Sequence, residues 1–397
     1  MSQEKDTPFL QERISKYYAS NKMEDLPSLE RREFGFFQFG STSMHRGIAF
    51  TSMERLGSFL AQRAPKHAYF SSAYYDDPTL PIAQRTWLGA DLIFDLDADH
   101  IRNAKDLTYE EMLAKVKERF IYLIEGFILN DLGFDERDLH LVFSGGRGYH
   151  LHIRREDIIK LGARERREIV DYITGRGLRL FEKRLVSEDR WGKRLYDYNL
   201  PAPENGWRRR LRWCFATLIR EISSKSDQEG IGYLTQYAPD VNRQTMNHVL
   251  GFLKGIKPSD LEKDEGVTIT TLKDLTENQE EAIRKIVTSM ISVEVAGETD
   301  EPVTSDIKRV IRIPGSVHGG SGLLAMRVGL DGLRGFDPLT SALLPTLTDG
   351  SAKVKWQKKM QIRLGKETYS GEPGKEEELP ELAAFVLVCR GGVTIEG

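Results

Sequence analysis

Cysteine is nearly absent from this chain of 397 residues, which contains only Cys214 and Cys389. Two cysteines so far apart exclude a disulfide framework and a cysteine-cluster zinc site, and they fit a reducing cytoplasm. Long apolar runs are also missing, because no stretch has the length needed to cross a bilayer. The N-terminus has no apolar core of the signal-peptide type. The sequence therefore predicts a cytoplasmic protein without a membrane anchor.

Charge of one sign is not in excess either, since 57 Lys and Arg face 60 Asp and Glu for a net charge of −3. Any nucleic-acid surface must therefore be a local patch. Residues 151–220 supply one, with 18 Lys and Arg against 10 Asp and Glu. The length predicts two domains or one core with a large insertion. We assign 1–155 and 290–397 to a discontinuous core, and the helix-rich, proline-interrupted residues 156–289 to an insertion.

A pair of acids ends an apolar run in the segment GADLIFDLDADH. Asp95 and Asp97 follow Leu92–Phe94 at alternate positions, so on a strand their carboxylates would project side by side. Such neighbours repel one another and lose hydration unless a cation neutralises them. Mg²⁺ or Mn²⁺ prefers these oxygen ligands. An isolated D-x-D is more often a solvated strand end, so the metal site depends on the motifs downstream.

The segment SGGRGYH (144–150) follows a short predicted strand, Leu139–Phe143. Its glycines let the backbone turn sharply, and N–H groups exposed in such a turn form a nest for phosphate oxygens. Its arginine can bind phosphate in a bidentate fork. A glycine turn with an exposed arginine explains the segment equally well, and the ending of a Walker A loop is missing. The candidate nucleotide-binding residues here are Ser144, Gly145, Gly146, Arg147 and His150.

A third segment, RIPGSVHGGSG, places Arg312 and His318 on either side of a Pro-Gly turn. Both side chains can donate to phosphate, although a surface turn explains them equally well. Upstream, Thr304 is a credible N-cap for a helix that would run to about Ile313. Glu33 and Arg46, which precede the acidic strand, are weaker candidates for holding a nucleotide.

A third carboxylate is expected just past a strand predicted over Ile291–Val295. Asp300 lies there. Asp306 competes with it, but its place in the first turn of the predicted helix already explains it. We favour Asp300, partly on the resemblance described below.

The segment WRRRLRW (207–213) interleaves tryptophans with arginines. Arginines attract phosphates and tryptophans stack on bases, which makes Arg208, Arg209 and Arg210 weak candidates for binding template DNA. An amphipathic helix with its tryptophans in the core is an equally good interpretation. Taken together, acids that bind metal and two segments that bind phosphates predict metal-assisted nucleotidyl transfer.

Three segments, in this order, resemble the small catalytic subunit of the archaeo-eukaryotic DNA primase, of archaeal type. They are FDLDAD (94–99), SGGRGYH (144–150) and RVIRIPGSVHGGSG (309–322). Three further segments look like that family too, so the likeness spans nearly the whole chain: REFGFF (32–37), HAYFSSAYYDDP (67–78) and PELAAFVLVCRGG (380–392).

The resemblance implies a fold and a set of site residues. The fold is α/β of the α+β kind, a primase core of mixed β-sheets with a helical insertion. The implied metal triad is Asp95, Asp97 and Asp300, which would hold Mg²⁺ or Mn²⁺. The implied nucleotide contacts are Ser144, Arg147, His150, Arg312 and His318, with Glu33 and Arg46 also near the site.

The implied activity is that of a DNA-directed RNA polymerase of the primase type, a nucleotidyltransferase. Members of this family copy single-stranded DNA into short primers for replication. They use ribonucleotides, and archaeal members often also use deoxynucleotides. They work as a heterodimer with a large primase subunit that carries an iron–sulfur cluster.

Two departures from the family pattern stand out. Many relatives carry a zinc-binding knuckle after the acidic strand, but residues 98–140 contain no cysteine and only two histidines. We therefore predict no structural zinc and a helix over Leu107–Asn130 in its place. Relatives also often have a lysine two residues after the last motif histidine, where this chain has Gly320. That phosphate contact is either missing or supplied by another base such as Arg327.

Three other functions compete with this one. A primase-polymerase of a repair pathway would use the same site, although the C-terminal segment 380–392 favours the replicative subunit. A non-catalytic nucleic-acid-binding subunit could share the fold, but the presence of all three acids argues against it, because buried acids without a metal would destabilise the fold. A metal-dependent phosphoesterase would account for the acids, but it gives no role to both phosphate-binding segments.

Overall fold

The computed structural model describes residues 2–98, 107–200, 202, 206–261, 266–271, 274–291, 304 and 306–396. Asp300, predicted above as a metal ligand, lies outside these residues. The strand predicted over Ile291–Val295 also lies outside them, except for Ile291, which ends a helix.

The described chain alternates short strands with helices, which confirms the α+β class. The strands are β1 Phe34–Phe37, β2 His45–Ile48, β3 His67–Ser71, β4 Ala73–Tyr75, β5 Trp87–Ala90, β6 Leu92–Asp97, β7 Leu139–Phe143, β8 Gly148–Ile153, β9 Glu182–Glu188, β10 Arg194–Leu200, β11 Val267–Thr271, β12 Val310–Arg312, β13 Val317–His318, β14 Leu323–Leu324, β15 Met326–Val328, β16 Ser351–Trp356, β17 Met360–Leu364, β18 Glu367–Gly371, β19 Glu376–Pro380 and β20 Val393–Ile395. The α-helices are α1 Ser2–Ser20, α2 Met53–Arg63, α3 Tyr109–Tyr122, α4 Glu156–Ile159, α5 Ala163–Thr174, α6 Gly206–Ser223, α7 Asp227–Thr235, α8 Arg243–Leu253, α9 Pro258–Leu261, α10 Glu277–Ile291, α11 Leu330–Leu333, α12 Pro338–Ser341 and α13 Glu381–Cys389.

The chain divides into two compact units. The first contains Met1–Tyr122, Phe134–Glu168 and Glu294–Gly397, and the second contains Leu123–Gly133 and Ile169–Val293. The domain boundaries proposed from the sequence stay a prediction about which parts fold together. No helix in the described part of the chain is long and apolar enough to cross a membrane.

One four-stranded sheet of the first unit has the order β12-β3-β1-β2. Its β1 strand alternates aromatic and other residues, and Phe34 and Phe36 are buried on one face. Phe34 meets Phe50 edge to face, with ring centroids 5.0 Å apart. The period-two pattern of the sequence thus places a row of aromatic rings in the core and fixes the register of the sheet.

The second four-stranded sheet of this unit has the order β15-β7-β8-β6. Every residue of β8 is buried, as expected for a central strand that is covered on both faces. The helix predicted over Leu107–Asn130 is confirmed: α3 continues as a π-helix over Leu123–Leu129. Within the first unit, Phe120 of α3 stacks on Tyr149 of β8 with centroids 5.2 Å apart.

The second unit contains helices α6 to α8 and α10 and a sheet of order β11-β10-β9. Helix α6 buries an apolar face that includes Leu211, Phe215 and Leu218. The sequence predicted the helices but not the sheet. Strand β9 is exposed along its whole length, so it lacks the apolar alternation that signals a strand.

The helix predicted from Thr304 to Ile313 is wrong. Thr304 lies in a turn, and residues 310–312 form β12 instead. Val310 and Ile311 pair with Ser71 and Phe70 of β3, and Ile311 is buried in the core. Strand pairing and burial of a β-branched residue override the local helix-start signal here.

Candidate active site

The two acids stand where the sequence placed them, on the last residues of β6. Strand β6 runs antiparallel to β8, with Asp95 opposite His150 and Asp97 opposite Gly148. The side chain of Asp95 is 17% exposed and that of Asp97 is 33% exposed. Because both lie on one face of the strand, their carboxylates share the open side of this sheet edge. The register brings the predicted phosphate loop beside them.

The loop between β7 and β8 is a tight glycine turn. Gly145 has φ = +75°, and a Cβ there would lie 2.9 Å from the Cβ of His318. At Gly148 a Cβ would lie 2.2 Å from the carbonyl oxygen of Leu96, on the strand that carries the acids. The loop therefore needs glycine at both positions. Gly145 is required by its backbone angle and by close packing, and Gly148 is required by close packing.

Ser144 organises this turn from within. Its Oγ accepts hydrogen bonds from the backbone N–H groups of Gly146 and Gly148, each at 3.2 Å. Two N–H groups of the predicted phosphate nest are therefore already bonded to a side chain. The Arg147 guanidinium lies 3.7 Å from a carboxylate oxygen of Asp97.

His150 is buried beside the first acid. Its Nε2 lies 3.4 Å from Oδ1 of Asp95, and its Nδ1 has no hydrogen-bond partner among the described residues. Burial lowers the pKa of His150, against the pull of the Asp95 charge. The ring is therefore neutral near neutral pH, and it holds Asp95 through a neutral contact.

Arg312 and His318 lie close together in the first unit, on β12 and β13. Arg312 is buried, and its Nη2 donates to the hydroxyl of Tyr69 at 2.9 Å. The His318 ring sits against Gly146, since a Cβ there would lie 3.2 Å from Nε2 of His318. Burial, and then the nearby Arg312 charge, holds the pKa of His318 well below its usual range. The third predicted segment thus meets the glycine turn.

Glu33 binds Arg46, Arg85 and the backbone N–H of Gly47. The two Glu33 oxygens accept from Arg46 Nε at 3.1 Å and Nη2 at 2.8 Å. Arg85 Nη1 also lies 2.8 Å from Glu33, although without hydrogen-bond alignment. Burial works to raise the pKa of Glu33, but these two arginines outweigh it and keep the pKa below its usual value.

The acid pair suits a hard divalent cation in ligand type. Asp95 and Asp97 offer carboxylate oxygens on a partly open face, which is what Mg²⁺ or Mn²⁺ prefers. Among the residues that the structure describes, no three His, Cys, Asp or Glu side chains gather as a metal cluster. The third predicted ligand, Asp300, lies outside the described residues.

Comparison with known proteins gives one consistent result. The family described as DNA primase small subunit matches residues 94–330. The chain is 38% identical to the DNA primase small subunit PriS of Methanocella arvoryzae over 406 aligned positions, covering 98% of each chain. It is 35% identical to that of Methanothrix thermoacetophila and 34% identical to that of Archaeoglobus fulgidus, again covering 98% of each chain. The chain belongs to the DNA primase small subunit family.

The basic segment of α6 divides into exposed and largely buried arginines. Arg208 and Arg209 are exposed, whereas Arg210 is 11% exposed and pairs with Asp131. Arg210 also lies over the ring of Phe127 at 3.9 Å. The two tryptophans divide in the same way: Trp207 is buried and Trp213 is 57% exposed. The core interpretation is thus right for Trp207, and DNA binding by the exposed face of the helix stays a prediction.

The sequence missed a buried ionic cluster beneath the acids. Asp91 is fully buried, and its carboxylate bonds to Arg32 Nη2 at 3.1 Å, Arg154 Nε at 3.0 Å and His152 Nδ1 at 3.3 Å. Burial favours the protonated acid, but Arg32 and the other partners hold the pKa of Asp91 well below its usual range. The sequence signal for this cluster was Asp91, an acid directly before an apolar strand. A solvated acid at the end of a strand gives the same pattern, so the signal did not identify the cluster.

Proposed function

We propose that this chain is the catalytic subunit of a DNA primase, which makes short primers on single-stranded DNA for replication. The observation that carries the proposal is the register of β6 and β8, which sets Asp95 opposite His150 and Asp97 opposite the glycine turn. The near full-length match to primase small subunits supports it. The reaction is nucleotidyl transfer, in which a 3′-hydroxyl attacks the α-phosphate and pyrophosphate leaves.

Asp95 and Asp97, with Asp300 as the proposed third ligand, would hold Mg²⁺ or Mn²⁺. The bound metal would activate the attacking hydroxyl and neutralise charge on the leaving pyrophosphate. His150 orients Asp95 from behind by its contact at 3.4 Å. Because the ring is neutral, it does not compete with a cation for the carboxylate.

The proposed phosphate-binding groups come from the glycine turn itself and from the third segment, whose His318 lies against that turn. Arg147, Arg312 and His318 supply donors to the triphosphate, two of them permanently charged. Burial lowers the pKa of Arg312, but the guanidinium stays charged near neutral pH, and a charge held out of water acts strongly on phosphate. These groups position the nucleotide and stabilise charge in the transition state, which is most of what catalysis requires here.

One base in the first unit is placed to replace the lysine missing at Gly320. Arg327 does not fit that role, because it pairs with Glu24 at 3.0 Å and donates to the Asp25 carbonyl at 2.6 Å. Lys66 lies directly against Gly319, where a Cβ would come within 2.6 Å of its Cγ. We therefore assign the replacement contact to Lys66.

The remaining partners follow from family membership. Ribonucleoside triphosphates are the proposed substrates, with deoxynucleotides as an additional class. The proposed protein partner is a large primase subunit with an iron–sulfur cluster, in a cytoplasmic replication assembly. On the second unit, Arg208, Arg209 and Trp213 are the proposed template contacts, since exposed arginines and an exposed ring suit phosphates and bases.

The test is nucleotide incorporation on an unprimed single-stranded template with Mg²⁺ or Mn²⁺, with and without the large subunit. Wild type is compared with Asp95→Asn and Asp97→Asn, and with Asp331→Asn, an exposed acid on α11, as the matched control. Products that need metal and disappear only in the first two variants support a primase. Extension only of a supplied primer would indicate a polymerase that does not initiate. Template binding without any product would favour a non-catalytic subunit.

A further inference from the structure

His67, the first residue of β3, lies between the two phosphate-binding side chains of the third segment. Its Nδ1 is 3.1 Å from Nη1 of Arg312, and its ring centroid is 4.8 Å from that of His318. Neither the sequence motifs nor the reaction described above gives His67 a role. Its position inside the proposed nucleotide site therefore needs an explanation.

The contact with Arg312 fixes which nitrogen of His67 carries the proton. A guanidinium can only donate, so Nδ1 must accept through its lone pair. Burial, followed by the charges of Arg312 and Lys66, lowers the pKa of His67 to about 3. The ring is thus neutral and its single proton is on Nε2. Among the described residues, Nε2 of His67 has no hydrogen-bond partner. This nitrogen is not fully buried, so it can reach a ligand.

The ring is also held in place. Phe37 meets it edge to face at 6.3 Å. The preceding residue is tied to the His318 segment, because Gly319 N–H donates to the Lys66 carbonyl at 2.9 Å. A donor whose direction is fixed before binding loses little freedom when the ligand arrives. This packing makes His67 a preorganised donor.

We propose that His67 is a nucleotide-binding residue that donates its Nε2–H to a phosphate oxygen of the incoming nucleoside triphosphate, beside Arg312 and His318. This inference rests on the proposed function. The surroundings favour an anion, since the polar groups that act on the ring or touch it among the described residues are Arg312, Lys66, His318 and Tyr69, and none is a carboxylic acid. The Tyr69 hydroxyl, which accepts from Arg312, keeps its own proton for the same ligand.

Two nearly isosteric substitutions separate donation to the ligand from support of Arg312. An asparagine at position 67 can keep an oxygen near Nδ1 for Arg312 but loses the distal donor. A glutamine can keep an amide donor near Nε2 but loses the acceptor for Arg312. The measurement is the Kd of ATP with Mg²⁺ by calorimetry, without template, for wild type, His67→Asn, His67→Gln and His67→Ala. His248→Asn, in an exposed position of the second unit, is the matched control.

The proposal requires His67→Gln to bind ATP more tightly than His67→Asn. We expect the asparagine variant to bind about tenfold more weakly than wild type, the worth of one hydrogen bond to a charged group. Asparagine binding like wild type, or as well as glutamine, would overturn the proposal and leave His67 as a support for Arg312. Thermal unfolding of each variant identifies any loss caused by misfolding. No ATP binding by wild type would instead count against the proposed function.

Discussion

Asp91 and the pair Asp95 and Asp97 are acids of one short stretch of chain, yet the fold treats them in opposite ways. Asp91 is fully buried and is bonded to two arginines, a histidine and a tyrosine hydroxyl. Asp95 and Asp97 keep 17% and 33% of their side chains exposed, and distances of 3.4 and 3.7 Å join their carboxylates to His150 and Arg147. One acid is fully engaged by the protein, whereas the other two retain surface for a ligand.

The comparison shows how a buried ionic cluster at the start of β6 can fix the position of the proposed site at the end of that strand. A buried acid needs several partners to remain ionised, and each partner ties another segment to the start of β6. Arg32 adjoins Glu33, and His152 and Arg154 belong to or follow β8, which also carries His150. The cluster around Asp91 therefore fixes the strands whose far ends carry the proposed chemistry. Rigid support of this kind is what positions a site to within a fraction of an ångström.

The largest expected effect is on synthesis. Asp95→Asn keeps the side-chain shape but removes the charge that would hold the metal. Loss of a residue behind a metal ligand already costs about 10–100-fold, so loss of the ligand itself should lower kcat by more than about a hundredfold. The free energy of unfolding should stay the same or rise, because a repelling charge is gone. Primer synthesis and urea unfolding of the same preparation measure both.

If Asp95→Asn lowers the free energy of unfolding as well as the activity, Asp95 supports the fold as Asp91 does. The contrast between a structural acid and proposed metal ligands would then be wrong. Asp331→Asn serves as the control, because it removes an exposed carboxylate elsewhere in the first unit.

Asp91→Asn should show the reverse pattern. Removing one member of a buried ionic cluster leaves Arg32 and Arg154 without their counter-charge, which costs about 3–5 kcal/mol of unfolding free energy. We expect a shifted urea midpoint and, at temperatures where the variant stays folded, metal-dependent synthesis within about tenfold of wild type. Full stability with lost activity would place Asp91 in the catalytic machinery instead.

The third prediction concerns pH and the partner of Asp91. Burial lowers the pKa of His152 to about 3 in the folded protein, whereas an unfolded histidine titrates near about 6.5. Between these values the unfolded chain binds one more proton than the folded one, so stability falls as pH falls from about 6.5. The slope from this one group is about 1.4 kcal/mol per pH unit.

His152→Gln should reduce that slope, measured from urea unfolding at several pH values between about 4 and 6. Asp91 itself adds stability in this window, because its depressed pKa keeps it ionised until the pH drops below the range of ordinary carboxylates. An unchanged slope in the variant would mean that His152 titrates near its ordinary pKa, and that the Asp91 carboxylate, which raises the pKa of His152, offsets the effect of burial.

The sequence predicted the exposed part of the site better than its buried part. Alternation and glycine chemistry are local signals, so the acid pair on β6 and the turn at 144–148 could be placed from residue types alone. Their meeting depends on the β6–β8 register, which the sequence did not predict and which the structure shows. The roles of these residues stay a prediction.

The cluster around Asp91 could not be predicted, because its partners come from β8 and from a segment some 60 residues upstream of it. Nothing local distinguishes Arg32 or Arg154 from a surface arginine. Likewise β12 was mistaken for a helix, since its burial against β3 decides its conformation. His67 begins a family-like segment that gave it no role, and only its contacts with Arg312 and His318 indicate one.

The smallest expected effect tests the same contrast on α6, where largely buried and exposed arginines are neighbours in the sequence. Replacing Arg208 and Arg209 with alanine should weaken binding of single-stranded DNA. Each lost phosphate contact lowers the salt slope of log K by about 0.7, so the pair should lower it by about 1.4. Arg210→Ala should leave that slope unchanged and instead lower the unfolding temperature, because Asp131 loses its buried partner. Fluorescence anisotropy of a labelled oligonucleotide at several salt concentrations measures the slope. A reduced slope in Arg210→Ala, with none in the double variant, would reverse the assignment of the two faces and place template DNA on the side that the structure shows packed against Phe127.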